Sequence, residues 1–116
     1  MNNKRLGTEF EKKMVKLLAN QGFWAHFITP DNRGAQPFDI IAVKNDFAVA
    51  IDCKTSKDHI FRLGRLEENQ IMAFEKWLKC GNSTPFIAVS YNDNIYMIEY
   101  TKLKGELNID LDKEQV

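Results

Sequence analysis

The chain has 116 residues, enough for one domain and too few for two, because chains divide only well beyond this size. Apolar residues make up 44% and charged residues 28%, and eight Phe, two Trp and three Tyr supply bulky core material, which excludes wholesale disorder. Sixteen basic and sixteen acidic residues cancel, so the total charge points to no anionic partner.

Periodicity organises the chain. From Thr8 to Asn20 the apolar positions Phe10, Met14, Leu17 and Leu18 recur at three- and four-residue steps and Gly22 follows as a stop, so this is read as the first helix. Phe23–Ile28 is aromatic and β-rich. Residues 29–34 (Thr-Pro-Asp-Asn-Arg-Gly) gather turn formers, and Phe38–Val43 is a short apolar run, which reads as two strands around a loop. Lys44-Asn45-Asp46 is a tight turn signal before Phe47–Lys54, so Phe38–Lys54 reads as an antiparallel hairpin. Thr55–Arg65 has no clean period and is expected as loop. Leu66–Lys79 carries Ile71, Phe74, Trp77 and Leu78 on one stripe, with Glu67 and Glu68 at its start and Gly81 past its end, and reads as the second helix. Pro85–Ser90 and Ile95–Tyr100, joined by Tyr91-Asn92-Asp93-Asn94, form a second hairpin candidate. The order α, β, β, β, α, β, β implies an α/β layered domain with helices covering the sheet faces.

Charge is segregated. Gly105–Val116 holds four acids and one base, a net −3 that reads as an acidic C-terminal tail and leaves +3 on the remainder. Lys4 and Arg5 open one basic cluster; Lys54, Lys57, Arg62 and Arg65 form another, as a phosphate-binding surface requires, although solvated faces are the plainer reading. Arg33, between Asn32 and Gly34 in the loop before Phe38, is a further phosphate contact candidate. Cys53 and Cys80 are read as free thiols of a reducing compartment. A charged amino end and no run near the ~20 apolar residues of a bilayer span argue for a cytoplasmic protein that crosses no membrane.

The first hairpin holds the chemistry. Asp39 opens one strand, and Asp52 and Lys54 close its partner, although aspartate is poor strand material. Alternation sets Asp52 and Lys54 on one face with Ala48 and Ala50, and a turn near Asn45 brings Asp39 opposite Asp52 or Cys53. Two converging carboxylates repel unless a hard divalent cation lies between them, and Mg²⁺ takes oxygen ligands at about 2.1 Å, with waters and substrate phosphate completing its shell. Lys54 would orient a water or offset developing charge, which together with the metal meets the needs of phosphodiester cleavage. An internal Asp–Lys ion pair is the alternative. Glu11 borders the apolar face of the first helix and can reach the sheet, and Gln70 shares a stripe with Phe74 and Trp77. His26 and His59 have no partner at zinc spacing and are read as ordinary strand and loop residues; Trp24 and Trp77 are read as packing.

Gly7-Thr8-Glu9-Phe10-Glu11, Pro37-Phe38-Asp39-Ile40-Ile41-Ala42, Ile51-Asp52-Cys53-Lys54 and downstream Gln70 together resemble the PD-(D/E)XK nuclease superfamily, over about Gly7 to Tyr100. Within it the pattern is most similar to archaeal Holliday junction resolvases, with features of the bacterial RecU group. The resemblance implies a restriction-endonuclease-like fold with a central mixed β-sheet flanked by helices. It also implies a Mg²⁺-dependent endonuclease (Mn²⁺ substituting) acting on four-way or other branched DNA as a homodimer. Matched by position, Glu11, Asp39 and Asp52 become the acidic metal-site residues, Lys54 the motif lysine and Gln70 the supporting polar residue. A non-catalytic DNA-binding or assembly module that retains the fold is the alternative function.

Overall fold

The computed structural model describes residues 3–28 and 36–114, with side chains from Thr8 onward. Helix α1 (Asn3–Asn20) begins five residues before the expected start at Thr8 and is followed by Gly22, whose φ of +91° is the left-handed turn that glycine adopts without strain. Strands β1 (Trp24–Phe27), β2 (Ile40–Lys44), β3 (Phe47–Thr55), β5 (Phe86–Tyr91) and β6 (Asn94–Glu99) form one mixed sheet in the order β1-β2-β3-β5-β6. All neighbours are antiparallel except β3 and β5. Both hairpins turn on an Asn-Asp pair with positive φ, Asn45-Asp46 and Asn92-Asp93, the backbone that matches the right-handed twist of paired strands. A parallel pair needs a long crossover, and residues 56–85 supply it with β4 (Ile60–Arg62), a 3₁₀ turn and α2 (Glu68–Lys79).

The sheet is covered on both faces. On one, Phe10, Met14 and Leu18 of α1 pack on Ile40, Ala42, Val49, Ile51 and Ala88. On the other, Phe74 of α2 packs with Phe38, Ala50, Ile87 and Val89, and the core continues into Tyr100, Leu103, Ile109 and Leu111. Alternation along β3 therefore sends Val49 and Ile51 toward α1, and Ala50 toward α2. Among the described residues no helix is long and apolar enough to cross a membrane.

Two expected segments differ. Residues 55–65, expected as loop, contain β4, and the run after Tyr100 folds as α3 (Tyr100–Glu106), β7 (Asn108–Asp110) and a final 3₁₀ turn. β4 and β7 pair antiparallel as a separate two-stranded sheet. The C-terminal acids thus belong to folded structure: Ile109 and Leu111 are buried beside Phe61, while Asp110 and Asp112 alternate outward. Tyr100 anchors α3 by ring contact with Phe74 and by donating its hydroxyl to Glu75 at 2.6 Å. Trp24, expected as packing, is 61% exposed on edge strand β1 and lies against His26; Trp77 does pack, edge-on to Phe38. Because Ile109 and Leu111 complete the core, Ile109→Ala and Leu111→Ala are each expected to lower stability by about 2–4 kcal/mol in urea unfolding. A dispensable tail would give values near zero.

Candidate active site

The site forms where β2 begins, β3 ends and the two helices approach from opposite faces. Ile40 pairs with Ile51, so the next pair outward is Asp39 and Asp52. Asp39 precedes β2 but keeps its ladder: its N–H donates to Ile51 O at 3.1 Å and its carbonyl accepts from Ile28 N at 2.8 Å. Its carboxylate Oδ2 accepts from the backbone N–H of Cys53 at 2.7 Å, and Oδ1 accepts from Gln36 Nε2.

Asp52 lies on the central strand, between β2 and β5, and is fully buried. Gln70 Nε2 donates to its Oδ1 at 2.9 Å. The orientation of that amide is set locally: Gln70 Oε1 accepts from the backbone N–H of Glu67 at 2.9 Å in a capping box at the start of α2, which turns the amino group toward the sheet. Asp52 Oδ2 makes no hydrogen bond, although it is buried. Lys54 Nζ stands 3.4 Å from it, close enough for an ion pair but without hydrogen-bonding geometry, and the Lys54 side chain is 16% exposed.

Glu11, half-buried on α1, faces Asp39 across a shallow cleft shared with Thr8, Lys12, Phe27, Ile28 and Gln36. Burial first, and then the negative Asp39, push Glu11 up to about 7. Burial and Asp39 likewise push Asp52 up to about 8, against the opposing pull of the Lys54 ammonium. Burial, followed by Asp39, Asp52 and Glu11, raises the Cys53 thiol as well, so it is no nucleophile at neutral pH. Three carboxylates and one ammonium thus share a partly desolvated corner that carries excess negative charge.

The structure brings Asp52, Lys54 and Gln70 into contact beside Asp39, and sets Glu11 next to Asp39; the oxygens of Glu11, Asp39 and Asp52 do not all lie within 4.8 Å of one another. The basic candidates are more dispersed. Lys57 is exposed; Arg62 is exposed and paired with Asp58 at 3.2 Å; Arg65 donates to Thr55 O at 2.8 Å and lies over the Phe61 ring. Arg33 and the side chains of Lys4 and Arg5 lie outside the described residues. Sequence reasoning missed Gln36 and Asn69, whose Nδ2 donates to Gln36 O at 2.7 Å, because no periodicity marks a loop residue that reaches a strand end. It also missed the partners of His59. That ring lies 3.2 Å from Asp110, which raises its pKa, and 3.8 Å from Asp112, across a pairing of segments about fifty residues apart in sequence. These three are exposed or nearly so and lie at one end of the small sheet, Asp110 in β7, His59 just before β4 and Asp112 in the final 3₁₀ turn.

The family model of archaeal Holliday junction resolvase (Hjc) matches residues 2–115. The crossover junction endodeoxyribonuclease Hje of Sulfolobus acidocaldarius is 34% identical over 58 residues, 49% of this chain and 42% of that protein. Hjc of Methanocaldococcus jannaschii is 23% identical over 94 residues, 81% of this chain and 65% of that one. Hje of Saccharolobus islandicus is 28% identical over 92 residues, 77% of this chain and 66% of its own length. The chain therefore spans less than two thirds of each of these relatives. The solved structure of Archaeoglobus fulgidus Hjc, a Holliday junction resolvase, superposes with a TM-score of 0.63 over 80% of this chain and 71% of that chain at 19% identity, a likeness of fold.

Proposed function

The chain belongs to the archaeal Holliday junction resolvase family, and we propose that it is a divalent-metal-dependent endonuclease that hydrolyses phosphodiester bonds in four-way DNA junctions. The observation that carries this reading is Asp52 Oδ2: a fully buried carboxylate oxygen with no hydrogen bond, in the corner where Asp39 and Glu11 converge. The Lys54 ammonium, 3.4 Å away, offsets one of the three carboxylates, so a further cation is favourable there, and the donors are all hard oxygens, which suits Mg²⁺ or Mn²⁺ and not a thiophilic metal.

In this proposal Asp39 and Asp52 hold the ion and Glu11 completes the acidic set. When bound, the metal lowers the pKa of coordinated water and neutralises charge on the phosphoryl oxygens. Lys54 reaches the same corner from solvent, where its ammonium donates a hydrogen bond to the attacking water and offsets charge building on the scissile phosphate. Gln70 fixes the Asp52 carboxylate through Oδ1 and leaves Oδ2 without a hydrogen bond. Lys57 and Arg62 sit exposed on the segment after the catalytic strand and would meet DNA phosphates, giving a salt-dependent affinity. Two copies in a cytoplasmic homodimer would cut opposed strands, leaving 5′-phosphate and 3′-hydroxyl ends.

The test incubates the protein with synthetic four-way, flap and linear duplex DNA, with and without Mg²⁺ or Mn²⁺. Paired nicks near the crossover of the four-way substrate, absent in chelator, are expected. Binding without nicking of any substrate under either cation would favour the non-catalytic module instead.

A further inference from the structure

Both metal-site aspartates are held by the first turn of α2, one directly and one through a relay. Gln70 donates straight to Asp52. Its neighbour Asn69 donates to the backbone carbonyl of Gln36, whose own side chain donates to Asp39 Oδ1. Asp39 lies at a bend just outside β2, where the β3 strand fixes only one of its carboxylate oxygens. Cys53 N–H fixes one carboxylate oxygen and Gln36 the other, so the two donors together set the plane of the group. A glutamine in a loop loses conformational freedom on adopting this one pose, and a fixed backbone lowers that cost. The Asn69 hydrogen bond at 2.7 Å fixes that backbone. A carboxylate oxygen has two lone pairs, so donation from Gln36 leaves Oδ1 able to ligate.

Resting on the metal-site reading above, we propose that Gln36 is a positioning residue for Asp39 and that Asn69 acts through it, making α2 a common brace for both aspartates. Partners of this kind, which orient a ligand without touching the metal, are worth about 10- to 100-fold in metal affinity. A residue that merely packs would alter unfolding and leave metal affinity alone.

The test titrates the full chain with Mn²⁺ by calorimetry, comparing wild type with Gln36→Met, Asn69→Ala and the ligand control Asp39→Asn, and follows urea unfolding in parallel. Gln36→Met is expected to weaken Mn²⁺ binding about tenfold or more, and to raise the Mg²⁺ concentration for half-maximal junction cleavage by the same factor. Asn69→Ala is expected to shift both in the same direction by less. Wild-type affinity in Gln36→Met, with binding lost in Asp39→Asn, overturns the brace alone. No Mn²⁺ binding by the wild type, or full binding by Asp39→Asn, overturns the site reading and the brace with it. Should Gln36→Met fail to fold, Asn69→Ala carries the test, and unchanged affinity there overturns the proposal.

Discussion

Asp52→Asn is expected to lower the single-turnover rate of junction cleavage by about three orders of magnitude, since a metal's charge stabilisation is worth several kcal/mol and each ~1.4 kcal/mol is tenfold. The substitution changes one oxygen for an amide nitrogen of nearly the same size, so packing between β2, β5 and α2 is kept. Asn Oδ1 can still accept from Gln70 Nε2, which confines the change to the position of Oδ2. There a donor replaces the acceptor, and the amide faces the Lys54 ammonium with no attraction for a cation. Affinity for the junction in chelator is expected to stay within about twofold, because phosphate contacts from exposed basic residues dominate such binding. Gel-shift titration in chelator and single-turnover cleavage in Mg²⁺ separate the two quantities. Turnover at the wild-type rate would remove Asp52 from the mechanism.

The parts of the site that could be read from the chain are those set by local geometry. A tight turn near Asn45 brings Asp39 opposite Asp52 or Cys53, and the observed register, with Ile40 across from Ile51, decides for Asp52. Helical spacing likewise put Glu11 at the margin of the α1 stripe and Gln70 in line with Phe74. What could not be read depends on long-range pairing. β4 is three residues long and has no period of its own; it is a strand only because β7, nearly fifty residues later, supplies its hydrogen bonds. The same closure buries Ile109 and Leu111, so a segment whose composition is that of an acidic tail is in fact a strand and turn with alternate burial. Trp24 failed for a related reason: β1 is an edge strand, and an aromatic residue on an edge need not be covered. Asn69 and Gln36 act through a backbone carbonyl and a loop side chain, neither of which leaves a periodic mark.

Metal-free protein is expected to lose stability as pH rises from about 5 to 8, by on the order of 3 kcal/mol, and saturating Mg²⁺ or Mn²⁺ is expected to remove most of that loss, leaving the small part due to exposed His59, whose pKa Asp110 raises. The sign follows from the direction of the shifts. Asp52 moves from an ordinary 3.8 up to about 8 and Glu11 from 4.5 up to about 7, so the native state holds protons that the unfolded chain has already released. Their contribution to stability is therefore complete below about pH 4, declines as pH climbs toward the native values, and is gone above them. Asp39 raises both, so their effects are not additive, and half-buried Glu11 is partly screened; hence the modest total. Exposed carboxylates with lowered values, Asp58 and Asp110, act in the opposite sense but only at more acid pH. A cation binds the deprotonated set, so it releases protons on binding and binds more tightly as pH rises. Urea unfolding at pH 5, 6.5 and 8, with chelator or with metal, reads both trends, and Asp52→Asn supplies the internal check. An amide cannot ionise, so the variant should lose most of the pH slope and be more stable than the metal-free wild type at pH 9. A metal-free wild type whose stability is level or rising across this range would mean that the buried acids are already compensated by the protein, and the electrostatic reason for a cation at Asp52 Oδ2 would disappear.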